Sequence, residues 1–161
     1  MTNNVLQILP ANLDDPRVIT LLESHIRGAR AQTAPGSAHA LDVSRLKAPS
    51  ISVWAAWLGG DLVGVGALKR LSGMEGEIKS MYTSPTARRR GVARSMLAHI
   101  VAVARSEGIK RLSLETGSWR YFEPARALYS AFGFSECGPF GDYREDPNSA
   151  FMTLDLTARG A

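Results

Sequence analysis

Residues 77–108 constrain this chain more than any other stretch. Glu77 to Thr83 reads as a strand and stops at Ser84-Pro85. A short basic segment follows, and then Val92, Met96, Leu97, Ile100, Val101 and Ala104 recur as one apolar stripe at helical spacing. Gly108 stands where a helix C-terminal cap belongs. A strand that turns directly into an amphipathic helix must lay that helix back on a sheet, which places the chain in the mixed α/β (α+β) class.

The remaining pattern agrees. Val5 to Leu9 alternates as a short strand ended by Pro10, and Asp15-Pro16 supplies an N-cap carboxylate and a first-turn proline. Val18, Leu21, Leu22 and Ile26 carry that helix to about Ala31. Thr33 to Ser37 is a loop by composition, and Asp42 to Lys47 supplies one helical turn. Ile51 to Leu58 and Leu62 to Leu71 flank Gly59-Gly60-Asp61 as a hairpin, and Ser72 to Gly76 is a further turn. Lys110 to Leu114 is a buried-type strand ending at Glu115-Thr116-Gly117. A helix over Phe122 to Phe132 closes at Gly133, and strands over Phe134–Cys137 and Ala150–Leu156 bracket a polar turn, Asp142 to Asn148. The order β-α-(α)-β-β-β-α-β-α-β-β predicts a mixed sheet with helices on both faces. At 161 residues, one domain over 1–161 is expected, with 157–161 as a frayed tail.

The net charge is +4, yet four of the 19 basic residues (Arg88, Arg89, Arg90, Arg94) fall in one acid-free segment. A local cluster points to a local anionic partner rather than a nucleic-acid face, and no recognition motif or aromatic platform supports nucleic-acid binding. Cys137 is the single cysteine, which excludes an internal disulfide and fits a reducing compartment. The first residues lack a signal-peptide pattern, and no apolar run reaches membrane-spanning length. A soluble cytoplasmic protein is the expectation. No close His/Cys/Asp cluster suggests a metal. Cys137 reads as a small buried residue, and His99 as lying on the exposed flank of its helix.

At the strand-to-helix junction, helix N–H groups are unpaired and the helix dipole favours negative charge. Gly91 removes a side chain where an anion would approach the backbone, Ala93 keeps the next turn small, and the flanking arginines add charge-assisted contacts. The pattern fits a pyrophosphate. It is neither a P-loop, lacking Gly-Lys-Ser/Thr, nor a dinucleotide fingerprint, lacking the second and third glycines.

Arg88-x-x-Gly91-x-Ala93 resembles the Gln/Arg-x-x-Gly-x-Gly/Ala motif of the GNAT superfamily of N-acetyltransferases. Glu77 to Thr83 is similar to that family's fourth strand, and Ala125-x-x-Leu128-Tyr129-x-x-x-Gly133-Phe134 to its second signature. With the element order, the resemblance covers nearly the whole chain. It implies a mostly antiparallel sheet splayed between strands 4 and 5. It also implies that the cosubstrate is acetyl-CoA, with its pyrophosphate on the backbone of Arg88, Arg89, Arg90, Gly91, Val92, Ala93 and Arg94. The pantetheine arm would pair with Met81, Tyr82 and Thr83, and one of those N–H groups would hold the developing oxyanion.

Tyr129 matches the family's general acid, although it can instead position CoA, or be an ordinary core tyrosine. Glu77 matches a general base of some members, with Glu115 or a water as competitors. Phe122 departs from an asparagine often found at its place, and Tyr82 is bulky for its own. The acceptor side draws on His25, Arg27, Arg30, His39, Lys79, Trp119 and the Phe140–Tyr143 turn. Its cations, unless they are surface charge, would suit a carboxylate-bearing amine such as an amino acid. The expected activity is acetyl transfer to a small-molecule primary amine by direct attack. The alternatives are an acyl-CoA-binding sensory or interaction module with little turnover, and acetylation of a protein amine. Whether subunits pair as a homodimer is left open.

Overall fold

The computed structural model describes residues 5–38 and 42–157. Seven strands and four helices follow in the order β1 (Leu6–Pro10), α1 (Pro16–Ala31), α2 (Val43–Leu46), β2 (Ile51–Leu58), β3 (Asp61–Arg70), β4 (Glu75–Thr83), α3 (Val92–Ser106), β5 (Arg111–Gly117), α4 (Glu123–Ala131), β6 (Ser135–Cys137) and β7 (Ser149–Asp155). The Asp15 carboxylate accepts from the Arg17 N–H at 2.9 Å and caps α1, with Pro16 in the first turn. Asp42 caps α2 in the same way, accepting from the Arg45 N–H at 2.9 Å. Both carboxylates satisfy backbone donors that a helix start leaves unpaired.

The strands form one sheet in the order β1-β2-β3-β4-β5-β7-β6, in which only β4 and β5 run parallel. Pro10 closes β1 at the sheet edge, where a missing N–H is tolerated. The centre of the sheet is buried on both faces, so β2 and β3 are apolar almost throughout. Val53, Ala55, Val65 and Ala67 pack with Val18, Leu21 and Leu22 of α1 and Leu46 of α2. Trp54, Ala56 and Leu68 pack on the other face with Met96, Leu97 and Ile100 of α3 and Tyr129 of α4. The stripe of α3 is buried as its periodicity predicts.

Three boundaries differ from expectation. β4 starts at Glu75 because Gly73 and Met74 both take left-handed φ and close a tight turn, with the Leu71 N–H bonded to the Glu75 carbonyl at 2.8 Å. β5 continues to Gly117 because Glu115, Thr116 and Gly117 pair with Phe151, Ala150 and Ser149 of β7. A 3₁₀ turn, Arg120–Phe122, precedes α4, so Phe122 lies just outside that helix. His39 and the Arg159–Ala161 tail lie outside the described residues.

Two irregularities place the site. Ala67 pairs with Lys79 but Val65 pairs with Tyr82, so β4 carries one extra residue between these pairs. Ser80 takes φ 56° there, a bulge that re-aims the end of the strand. The parallel β4–β5 ladder runs only from Glu75↔Arg111 to Ile78↔Leu114. Past it, β4 keeps to β3 and β5 keeps to β7, and the sheet opens.

Candidate active site

Thr83 ends β4, the Ser84 N–H bonds the Val63 carbonyl at 2.8 Å, and one 3₁₀ turn over Pro85–Ala87 leads to the arginines. Arg89 (φ 65°) and Gly91 (φ 79°) are both left-handed, which curls the chain into α3. A side chain at Gly91 would be strained there whatever the space around it. No side chain caps α3, so its first N–H groups and the positive end of its dipole are left for an external anion. Arg88, Arg89, Gly91, Val92, Ala93 and Arg94 border a cavity of about 620 Å³. Arg90 instead borders a second cavity, beside Arg17 and Ser84. The donors, the charge and the missing side chain together fit a diphosphate.

Met81, Tyr82 and Thr83 line the same cavity where the sheet opens, and Ala125, Leu128 and Tyr129 of α4 face them. Tyr129 is only 6% exposed, with its ring edge-on to Phe134 at 5.8 Å. Burial raises its phenol well above the usual tyrosine range, so it remains protonated through the physiological range. The Phe122 ring packs against Gly117, where any Cβ would overlap it. The bulky residue at the place of the family's asparagine is therefore accommodated by a glycine on the facing strand.

Beyond the gap the cavity reaches the α1 face, where Glu77, Lys79 and Tyr143 form a closed triad. The Lys79 ammonium donates to Glu77 Oε2 at 2.8 Å and to the Tyr143 oxygen at 2.9 Å. The Tyr143 hydroxyl donates to the same Glu77 oxygen at 2.5 Å. The Glu77 and Lys79 side chains are 4% and 8% exposed. Burial first, and then the nearby Glu77 carboxylate, push the Tyr143 phenol far above its ordinary value. Tyr143 itself is braced against Phe140 and Phe151, with centroids at 5.0 and 5.6 Å. Glu77 pairs with Ser113, so Glu115, two residues further along β5, lies on the same face by the strand period, and it also lines the cavity.

Of the residues the sequence nominated for the acceptor side, His25, Lys79 and Tyr143 line the cavity. Arg27 and Arg30 are exposed and do not line it, Arg27 lying against Ser24 at 3.3 Å. Trp119 is 42% exposed and donates to Asn148 Oδ1 at 2.9 Å. His99 is half-buried against the Trp54 ring at 5.0 Å, which corrects its expected place on an exposed flank. The helical stripe flags only residues at its own spacing, and His99 lies just beside it. Thr33, Ser80 and Tyr121 also border the cavity, and composition gave no sign of them. Among the described residues no group of three His, Cys, Asp or Glu side chains could hold a metal, and no helix is long and apolar enough to cross a membrane.

A sheet parted beside an uncapped, glycine-started helix, with the parting lined by a buried tyrosine and a buried carboxylate, defines an acyl-CoA-dependent transferase. Residues 20–134 match the acetyltransferase (GNAT) family, and the chain belongs to it. It is 50% identical to the uncharacterized N-acetyltransferase YsnE of Bacillus subtilis (strain 168) over 90% of this chain and 96% of that one. Against the uncharacterized N-acetyltransferase YedL of Escherichia coli (strain K12) the identity is 47% over 90% and 91%. The crystal structure of a Klebsiella pneumoniae protein assigned as an acyl-CoA N-acyltransferase superposes with TM-score 0.80 at 28% identity, over 96% of this chain and 99% of that one.

Proposed function

We propose that the whole chain is one catalytic domain that transfers the acetyl group of acetyl-CoA to the primary amine of a small molecule. The observation that carries this reading is one cavity lined by Arg88, Arg89, Gly91, Val92, Ala93 and Arg94 together with Tyr129, Glu77 and Tyr143. The pyrophosphate rests on the N-terminus of α3, and the pantetheine arm follows β4 past Met81, Tyr82 and Thr83 into the opening. A backbone N–H at the bulge polarises the thioester carbonyl. The amine, having lost a proton to Glu77 directly or through a water, attacks the carbonyl carbon. The tetrahedral intermediate collapses, the C–S bond breaks, and Tyr129 donates its proton to the departing sulfur. The amine's second proton returns to Tyr129 through solvent and Glu77 releases the first to solvent, so the cycle closes on amide, CoA and one proton. The free thiol of Cys137 fits a cytoplasmic setting.

Thermal unfolding with and without acetyl-CoA tests the cosubstrate. A millimolar excess is expected to raise Tm by several degrees, and Gly91→Glu to abolish the shift by placing a carboxylate in the phosphate cradle. An unshifted wild-type Tm would remove acetyl-CoA from the reading.

A further inference from the structure

Resting on that acetyl-transfer reading, we infer that Ser80 is a further catalytic residue. Its hydroxyl donates to the thioester carbonyl oxygen of bound acetyl-CoA, beside the backbone N–H of the same bulge.

Ser80 carries two costs at one position. Its φ of 56° lies in the left-handed region, where a side chain is strained and glycine is not. The residue is 8% exposed, and its Oγ is buried with no hydrogen-bond partner among the described residues. Buried hydroxyls are ordinarily paired, and one without a partner loses its bonds to water with nothing in exchange. Glycine here would remove both costs. Thr33 Oγ1, His99 Nε2 and Ser149 Oγ are also buried and unpartnered among the described residues. His99 and Ser149 do not line the cavity, however, and Thr33 is not left-handed. Only Ser80 joins strain, an orphaned hydroxyl and the cavity, a combination that points to a ligand as the missing partner.

Position along the strand names that ligand group. Ala67 pairs with Lys79 and Val65 with Tyr82, so Ser80 and Met81 fall outside the β3 ladder. On one side of them stands Glu77, the base we propose, held by Lys79. On the other, Met81, Tyr82 and Thr83 border the cavity along the path of the pantetheine arm. The amine loses its proton at the first and the thiolate leaves along the second, so the reacting carbonyl belongs at the junction. Serine has a single side-chain torsion, and its hydroxyl can turn toward an oxygen that enters the cavity. A donor kept from water gains strength as that oxygen takes on charge during attack. Its proton stays on Ser80 throughout.

The test is the carbonyl stretch of bound acetyl-CoA, isolated by isotope-edited infrared spectroscopy with no amine present. Ser80→Gly and Ser80→Ala are each expected to shift the stretch to higher frequency than in the wild-type complex, because one donor is lost. Ser80→Gly also relieves the strain, so its Tm without ligand is expected to rise by a few degrees, whereas Ser80→Ala keeps the left-handed penalty. Acetyl-CoA is expected to go on raising the Tm of both variants, because the phosphate cradle is intact. An unchanged stretch in either variant, a Ser80→Gly protein less stable than wild type, or loss of the acetyl-CoA shift in both variants overturns the inference and leaves acetyl transfer standing. A wild-type protein whose Tm acetyl-CoA does not move would instead overturn the underlying function.

Discussion

Tyr129 and Glu77 approach the opened sheet from opposite faces, and their surroundings separate their roles. Tyr129 sits among Leu128, Phe134 and the α3 stripe, where desolvation keeps its proton in place, as the acid role we propose for it requires. Glu77 Oε2 accepts from both Lys79 and Tyr143, which fixes the carboxylate and turns its remaining oxygen into the proton acceptor we propose. Tyr129→Phe removes only the hydroxyl, so kcat is expected to fall by about 10²-fold with the acetyl-CoA-induced Tm shift unchanged. Stopped-flow and steady-state rates would check this, and an unaltered kcat would end the acid assignment. The sequence exposed Tyr129 because it belongs to a local Leu-Tyr…Gly-Phe pattern. It did not reveal that Tyr143 meets Glu77, since 66 positions separate the two and only the β6–β7 loop brings them together.

At the scale of elements, the packing of α3 on β3 fixes how far the pyrophosphate cradle we propose stands from the opened sheet. Gly66 on β3 makes this close approach possible. A Cβ there would stand 2.7 Å from Met96 Cγ and 3.0 Å from Met81 Sδ. Gly66→Ala is therefore expected to lift α3 or displace Met81, destabilising by about 1–3 kcal/mol and weakening acetyl-CoA binding in parallel. Urea unfolding and ligand titration measure the two effects. Gly138→Ala, with open space around it, should leave both unchanged. Most elements were legible because helices and hairpins announce themselves locally: the α3 stripe, the Asp15-Pro16 cap and the Gly59-Gly60 turn each sit within a few residues. The β4 bulge was not legible, because its left-handed residue is Ser80 rather than glycine. On the α1 side of the cavity the sequence nominated His25, Lys79 and Tyr143 but not Thr33, Ser80 or Tyr121, which come from separate elements and share no spacing with them.

Over the whole molecule, stability depends on the seam between α1 and the sheet, and His25 makes that seam sensitive to pH. Its ring lies against Tyr82, and burial lowers its pKa from 6.5 to about 4. Above pH 6.5 the imidazole is neutral in folded and unfolded chains alike, so it contributes no pH dependence. As the pH falls from 6.5 toward 4, the unfolded chain binds a proton that the folded chain refuses, and stability declines with the pH. Between pH 7 and pH 5 the loss is expected to be about 1–2 kcal/mol. Carboxylates held low by partners, such as Glu107 by Arg70 and Asp15 by Arg17, add their own losses only at more acidic pH, below their unfolded values. The urea midpoint of the wild-type protein should therefore drop between pH 7 and pH 5, and that of His25→Asn, which cannot take up the proton, should hold nearly level across the same interval. A wild-type midpoint that stays level, or a variant that falls as steeply, would show that His25 titrates normally and that the seam is open to water.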